Sequence, residues 1–196
     1  MSLDRDAIRA YLQESCRVKQ SFSDELLSRI ETFAIRSAEA LGSGGKMVFF
    51  GNGGSAADAQ HLAAELTVKL LASRKSLPAL ALTTNSSVLT AAANDLGFES
   101  IFARQVESLV SPGDVVIALS TSGTSPNILR ALDTEAARKA FRVALTGETG
   151  GDLASRVDLL LNVPSRNPQH IQEAHITIGH IACALIEQMR AGRAAG

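Results

Sequence analysis

The sequence predicts a single α/β domain in which a five-stranded parallel sheet lies between two layers of helices. Short, mostly apolar runs alternate along the chain with longer segments of helical spacing, as expected for strands joined by crossover helices. Helical connections make the strands parallel, and right-handed crossovers then give a doubly wound, flavodoxin-like three-layer sandwich. The length of 196 residues suits one domain, and 45% apolar residues can fill its core.

Two helices are predicted before the first strand, at residues 4–17 and 22–41. In the second, apolar side chains recur at helical intervals until Gly42, which is a typical residue for ending a helix. Residues 46–50 form a mostly apolar run bounded by glycines, and residues 114–119 have a similar apolar character, so both are predicted to be buried strands.

The remaining elements continue the same alternation. Further strands are predicted at residues 80–82, 141–145 and 159–163. Helices are predicted at residues 56–68, 86–94, 99–110, 126–138, 151–156 and 168–191. In such sheets a ligand binds beyond the carboxyl ends of the strands, so the loops after Phe50, Leu82 and Leu119 are the candidate site.

Composition and charge exclude several classes of protein. The net charge is −1, from 19 basic and 20 acidic residues, and no basic block offers a surface for nucleic acid. No apolar run reaches the roughly 20 residues of a membrane span, and the N-terminus lacks the apolar segment of a signal peptide. Cys16 and Cys183 form no CxxC pair, so we expect a cytoplasmic protein with two ordinary thiols rather than a structural disulfide.

A glycine-rich loop, GNGGS at residues 51–55, follows the first predicted strand. Glycines let the backbone approach a ligand closely, and Ser55 is expected to cap the helix that follows. Free backbone N–H groups and the helix dipole favour an anion at such a helix start. We therefore favour a phosphate-binding loop over a simple tight turn.

The same loop also fits a dinucleotide-binding pattern loosely. Gly51, Gly53 and Ala56 match G-x-G-x-x-[GA], but that pattern requires an acidic residue about 20 positions further on for the ribose hydroxyls. The sequence has no acidic residue between Glu65 and Asp95. Dinucleotide binding is therefore the less favoured interpretation.

A second polar loop, STSGTS at residues 120–125, follows the third predicted strand. Its five hydroxyls can bind phosphate oxygens from several directions. Ser125 suits the cap and Pro126 the first position of the next helix. A polar surface turn is the alternative interpretation. Neither loop has the lysine of a Walker motif, which argues against nucleoside triphosphate hydrolysis.

Acid–base and metal-binding side chains occur in two of the predicted helices. His61 and Glu65 are four residues apart and therefore share one helix face. Their helix also carries Asp58 and Gln60, and the last helix carries Gln172, Glu173, His175 and His180. Taken singly, each histidine is more often structural, but together these groups can hold zinc or a similar ion, or perform general acid–base catalysis. Spacing alone does not show that the two helices meet.

Four segments together resemble the phosphoheptose isomerases of the sugar-isomerase (SIS) domain superfamily. They are FGNGGSAADAQHLAAEL (50–66), LTTNSSVLTAAANDLGFE (82–99), ALSTSGTSPNIL (118–129) and IQEAHITIGH (171–180). The two loops alone indicate only a SIS domain, whereas their combination with His61, Glu65, Gln172 and His180 is more specific. The resemblance implies a single SIS domain over residues 1–196, with residues 1–42 used in oligomerisation and 43–196 forming the α/β core.

The resemblance also implies a reaction and a set of site residues. The reaction is isomerisation of sedoheptulose 7-phosphate to D-glycero-D-manno-heptose 7-phosphate, the first step towards ADP-heptose and the lipopolysaccharide core. Glu65 would be the base and His180 the acid, and zinc would be held by His61, Glu65, Gln172 and His180. The implied substrate-binding residues are Asn52, Gly53, Gly54, Ser55, Glu65, Asn94, Asp95, Ser120, Thr121, Ser122, Ser125 and Gln172. The family forms homotetramers whose active sites lie between subunits.

Two positions depart from the family pattern, and other functions stay open. Asn85 stands where many relatives have Asp, and Lys69 where some have Arg, which removes a bidentate contact there. One relative in the superfamily binds the replication initiator without catalysis, but it departs at the positions of Glu65 and His180, which this chain retains. The same loops would also serve a sugar-phosphate sensor, an isomerase of another sugar phosphate or a lyase acting on amino-sugar phosphates.

Overall fold

The structure is a computed structural model that describes residues 5–192. Within that range, one parallel sheet has the strand order β2-β1-β3-β4-β5. Its strands are β1 (Met47–Gly51), β2 (Ala79–Ala81), β3 (Val115–Leu119), β4 (Phe141–Thr146) and β5 (Leu159–Asn162). The predicted five-stranded, doubly wound α/β sandwich is confirmed.

Helices cover both faces of the sheet. They are α1 (Arg5–Gln20), α2 (Asp24–Gly42), α3 (Gly54–Thr67), α4 (Ser86–Leu96), α5 (Ala103–Leu109), α6 (Pro126–Leu132), α7 (Glu135–Arg138) and α8 (Pro168–Gly192). Two 3₁₀ turns lie at Phe98–Ser100 and Gly151–Ser155. No helix among residues 5–192 is long and apolar enough to cross a bilayer.

The alternation of side chains along the strands divides the core into two halves. Met47 and Ile117 face the layer that contains α2, α3 and α8, whereas Val48 and Val116 face the layer of α4 to α7. All residues of β1 and β3 are buried, because these strands are central and covered on both sides. The continuous apolar runs that predicted buried strands therefore have a direct cause in the layer architecture.

Two predicted helices differ from the structure in the same way, because each is divided. Residues 99–110 form the end of a 3₁₀ turn and then α5, and residues 126–138 form α6 and α7. The second division occurs at Thr134, whose hydroxyl accepts a hydrogen bond from Ala137 N at 3.2 Å and caps α7. Hydroxyl side chains that compete for backbone donors in this way start a new helix.

The two cysteines are free, as the sequence predicts for ordinary thiols. Cys16 is exposed on α1, and Cys183 is buried on α8. Burial, helped by the nearby Glu65 and Glu187 and opposed by Arg74, raises the pKa of the Cys183 thiol to about 12. This thiol therefore stays protonated and is a core side chain rather than a nucleophile.

Candidate active site

The site lies where the direction of strand order reverses, between the carboxyl ends of β1 and β3. Gly51 is in register with Leu119, so the loops that follow the two strands start side by side. A Cβ at Gly51 would lie 2.7 Å from the Cβ of Ser55 and 2.8 Å from the oxygen of Leu119. Only glycine permits this close approach, so the two loops meet at the strand ends, where the sequence predicts the site.

The glycine loop leads directly into the N-terminus of α3. Gly53 has φ of +57° and occupies the N-cap, so the helix begins at Gly54. The prediction that Ser55 caps this helix is wrong, because Ser55 lies inside the first turn and makes no cap bond. Its side chain instead contributes to the wall of a pocket, and the residue is 3% exposed.

The hydroxyl loop after β3 forms the other half of the pocket. Ser120 accepts a hydrogen bond from Gly123 N at 3.2 Å, and its hydroxyl lies 3.4 Å from that of Ser125. Ser125 is at the N-cap of α6 and Pro126 follows it, as predicted, but the Ser125 side chain makes no cap bond. The hydroxyl of Ser125 is therefore available to a ligand.

These two loops and α8 enclose a polar cavity of about 70 Å³. Gln172 on α8 closes one side, and its Oε1 lies 2.8 Å from the point where a Cβ on Gly54 would be. The cavity is lined by Asn52, Ser55, Leu119, Ser120, Thr121, Ser122, Ser125, Ile128 and Gln172. Hydroxyl groups and a helix N-terminus facing a small space are the features that bind a phosphate group.

Asn127 is a structural part of this site that sequence reasoning missed. Its amide and that of Asn52 exchange two hydrogen bonds, of 2.9 Å and 2.8 Å. The pair joins the glycine loop to α6, and Asn127 is buried. Its position in the PN dipeptide after STSGTS was visible in the sequence, but its partner lies 75 positions earlier.

The acid–base side chains come together on α3 and α8. His61 Nε2 lies 3.0 Å from Glu65 Oε1, and His180 Nε2 lies 3.2 Å from His61 Nε2. One ligand atom from each of the three residues lies within 4.8 Å of the other two. The two helices therefore meet, which the sequence spacing alone left open.

Asp58 lies near this cluster, one turn before His61 on α3. Partial burial raises the pKa of the Asp58 carboxyl, and the nearby His61 and His180 act in the opposite direction. The cluster thus has a carboxylate, Glu65, in contact with an imidazole and a second, harder-to-ionise carboxyl close by. Two imidazole nitrogens and one carboxylate oxygen are a donor set that suits zinc.

Several predicted site residues lie apart from these groups in the single chain. Asn94 and Asp95 are exposed at the end of α4, where the Asn94 amide donates to Asp95 Oδ1 at 2.7 Å. Gln172 is eight residues before His180, which is about 12 Å along the helix axis. Its place in the zinc shell stays a prediction, and its amide lies at the phosphate cavity.

The other polar residues of α8 have structural partners. His175 is buried, and its Nε2 donates to Thr146 O at 3.1 Å. Glu173 accepts hydrogen bonds from Tyr11 at 2.7 Å and from Ser15, which fixes α1 against α8. Both residues therefore belong to the framework rather than to the site.

Two larger grooves lie away from this chemistry. One of about 810 Å³ follows the edge strand β2, between α3 and α5, and is mostly apolar. Another of about 670 Å³ lies at the opposite end of the sheet, beside Arg36 and Asp114. Neither groove contains the hydroxyl loop or the His61 cluster. The candidate site is therefore identified by its hydrogen-bonding and acid–base side chains and not by the size of its cavity.

The fold and the hydroxyl-lined cavity define a sugar-phosphate-binding domain, and the family model of the SIS domain matches residues 10–147. The phosphoheptose isomerase of Aquifex aeolicus is 47% identical over 94% of this chain and 96% of the relative. That of Geobacter sulfurreducens is 48% identical over 93% and 97%. The solved phosphoheptose isomerase of Neisseria gonorrhoeae superposes with a TM-score of 0.88 at 41% identity, over 94% of this chain and 98% of that one. The chain belongs to the phosphoheptose isomerases of the SIS-domain family.

Proposed function

We propose that this chain converts sedoheptulose 7-phosphate into D-glycero-D-manno-heptose 7-phosphate by proton transfer through an enediol. The single observation that carries the proposal is the meeting of Glu65, His61 and His180 on α3 and α8, the two helices whose N-terminal parts border the hydroxyl-lined cavity. The 47% identity to a phosphoheptose isomerase over nearly the whole chain supports the choice of substrate.

The phosphate is held away from the reacting carbons. The hydroxyls of Ser120 and Ser125 and the start of α3 bind its oxygens and so orient the sugar. Ser55 and Glu65 are ten residues apart on α3, about 15 Å along its axis. An extended seven-carbon phosphate together with the two side chains can span that distance, whereas a triose phosphate is too short.

Glu65 and His180 share the proton transfers. The Glu65 carboxylate removes a proton from C1 of the ketose, and His180 gives a proton to the C2 oxygen, which forms the 1,2-enediol. Glu65 then returns its proton to C2, and His180 takes the proton from the C1 oxygen to complete the aldehyde. Each residue ends the cycle in its starting protonation state.

His61, Glu65 and His180 would hold a zinc ion. Their nitrogen and oxygen donors fit that ion. Gln172 lies at the hydroxyl-lined cavity, about 12 Å along α8 from His180, so as the proposed fourth ligand it would come from a second chain. Zinc would supply electrostatic stabilisation of the oxyanion that develops in the enediol. His61 contacts both other side chains and so bridges Glu65 and His180.

We further propose that the working form is a homotetramer with active sites between subunits. The cavity in one chain accommodates little beyond a phosphate, and Asn94 and Asp95 lie exposed outside its lining. A second chain would complete the sugar site, and residues 1–42 would contribute to the contacts. We place the single-domain enzyme in the cytoplasm, where two free thiols are usual, at the first step towards ADP-heptose and the lipopolysaccharide core.

The roles of Glu65 and His180 are tested by Glu65→Gln and His180→Gln. Each variant should lower kcat on sedoheptulose 7-phosphate at least about 100-fold, because each removes an acid–base group. Gln13→Glu, at an exposed position on α1 outside the cluster, is the control and should leave kcat nearly unchanged. Near-normal turnover by folded Glu65→Gln and His180→Gln variants would contradict the acid–base roles. Assays with ketose phosphates of other chain lengths test the substrate preference.

Metal binding is tested by chelation and reconstitution. The purified protein should contain about one zinc per chain, and His61→Ala should reduce that content several-fold because one of three clustered donors is lost. Metal content measured by atomic emission is independent of activity. Full activity after complete chelation would mean that zinc is dispensable.

A further inference from the structure

A buried ion pair lies behind the acid–base cluster. Arg74, in the loop between α3 and β2, places its Nε 2.9 Å from Glu187 Oε1 on α8. The two side chains are 7% and 3% exposed. A charge pair buried this far needs further hydrogen bonds to offset its lost hydration, and the structure provides them.

The other guanidinium nitrogens of Arg74 bind the last turn of α3. Nη2 donates to the backbone carbonyl oxygen of Glu65 at 2.8 Å, and Nη1 donates to the backbone carbonyl oxygen of Leu66 at 2.7 Å. The final carbonyls of a helix lack partners within it, and a cation there is favoured by the helix dipole. Arg74 therefore holds the backbone of Glu65, the residue that we propose as the base.

Glu187 organises the loop from the side of α8. Its carboxylate accepts from the N–H groups of Leu70, Leu71 and Ala72 at 2.9, 3.0 and 3.0 Å. Burial pushes the pKa of Glu187 up, but these donors and Arg74 outweigh burial and hold the pKa below its ordinary value. Glu187 thus stays charged and bound.

The pair connects the two helices that carry the catalytic groups. Glu187 follows His180 by seven residues, two turns along the same face of α8. Arg74 joins that helix to the carbonyl of Glu65 on α3. The ion pair therefore joins α3 to α8 without contacting the side chain of Glu65 or His180.

We propose that Arg74 and Glu187 are positioning residues that set the separation of Glu65 and His180 for proton transfer. The inference rests on the roles proposed above for those two residues. A fixed planar fork of three nitrogens is required, because Arg74 bonds one carboxylate and three backbone carbonyls at once. A lysine, with one compact ammonium group, does not reproduce that geometry.

The test compares Arg74→Lys and Glu187→Gln with a matched control. Lys46→Met breaks another ion pair with a buried carboxylate, Lys46 Nζ to Asp114 Oδ2 at 2.6 Å, at the far end of the sheet. Arg74→Lys should lower kcat about 10- to 100-fold with KM nearly unchanged, since misplacement of reacting groups by about 1 Å has that effect. Lys46→Met should lower the melting temperature but not kcat.

A second measurement separates this inference from the proposed function. The imidazole NMR signals of His61 and His180, whose ring centroids are 4.9 Å apart, should shift in Arg74→Lys and Glu187→Gln and stay unchanged in Lys46→Met. These shifts are expected even if the protein turned over no sugar phosphate at all. Unshifted imidazole signals, or a kcat loss no larger than in Lys46→Met, would overturn the inference, and Glu187→Gln serves if Arg74→Lys fails to fold.

Discussion

His175 is a histidine whose environment favours the neutral ring. It is fully buried on α8, its Nε2 donates to the Thr146 carbonyl, and its Nδ1 has no partner among the described residues. Burial, opposed by the bond to Thr146, lowers the pKa of His175 from 6.5 to about 4. The same residue type therefore serves the framework here and the chemistry at His61 and His180.

The lowered pKa of His175 predicts a loss of stability in mild acid. Between pH 6.5 and about 4 the unfolded chain takes up a proton that the folded chain does not, so the free energy of unfolding falls as pH falls. Between pH 7 and pH 4.5, protonation of His175 in the unfolded chain should lower the free energy of unfolding by about 2 kcal/mol. Urea unfolding at both pH values should show a smaller fall for His175→Gln, and equal falls would contradict the prediction.

At the scale of elements, the hydroxyl loop depends on one glycine. Gly123 has φ of +69°, and a Cβ there would lie 2.2 Å from the oxygen of Gly150. Its own N–H binds Ser120 and its carbonyl accepts from Leu153, so the loop is tied to the next strand connection. A side chain at this position must move the hydroxyls that line the cavity.

Gly123→Ala should therefore impair sugar-phosphate binding as well as folding. The left-handed backbone alone costs about 1–2 kcal/mol, and the clash adds to it. Gly44→Ala is the matched control, because Gly44 has φ of +90° with open space around its Cβ position. The melting temperature measured by calorimetry should fall in both variants, but KM should rise only in Gly123→Ala. An unchanged KM in Gly123→Ala would show that the loop tolerates the methyl group.

Local sequence signals predicted most elements because their causes are local. The apolar run at β1 and the proline at the first position of α6 each act within a few residues, and both are confirmed. Ser125 occupies the predicted N-cap position but makes no cap bond. The division of residues 126–138 at Thr134 was missed because helix spacing continued through a residue that also caps. Gly53 rather than Ser55 occupies the N-cap of α3, and the sequence did not decide between them because both residue types are common at that position.

At the scale of the whole molecule, the sequence predicted candidate acid–base and metal-binding residues but not how they come together. His61 and Glu65 share a face by spacing, whereas His180 reaches them only through the packing of α8 on α3. The Arg74–Glu187 and Asn52–Asn127 pairs join residues 113 and 75 positions apart. Such pairs leave no periodic signal in one sequence, because neither partner is unusual where it stands.

The outer face of α1 gives the last prediction. Ile8 and Leu12 are four residues apart on one side of the helix, and they are 56% and 58% exposed in the single chain. In a tetramer that uses residues 1–42, such apolar side chains would be covered by another subunit. Replacing both with Glu should leave the fold intact, since neither is buried within the chain, but should prevent assembly.

Light scattering after size exclusion measures that outcome directly. The wild-type chain should have the mass of four copies, and the double variant Ile8→Glu, Leu12→Glu should have a smaller mass and lower kcat, because shared sites would be lost. Gln13→Glu, an exposed polar position on the same helix, should keep the wild-type mass. A double variant that remains tetrameric would exclude this face of α1 from the interface. A wild-type chain that elutes as a monomer would mean that each active site functions without a second subunit.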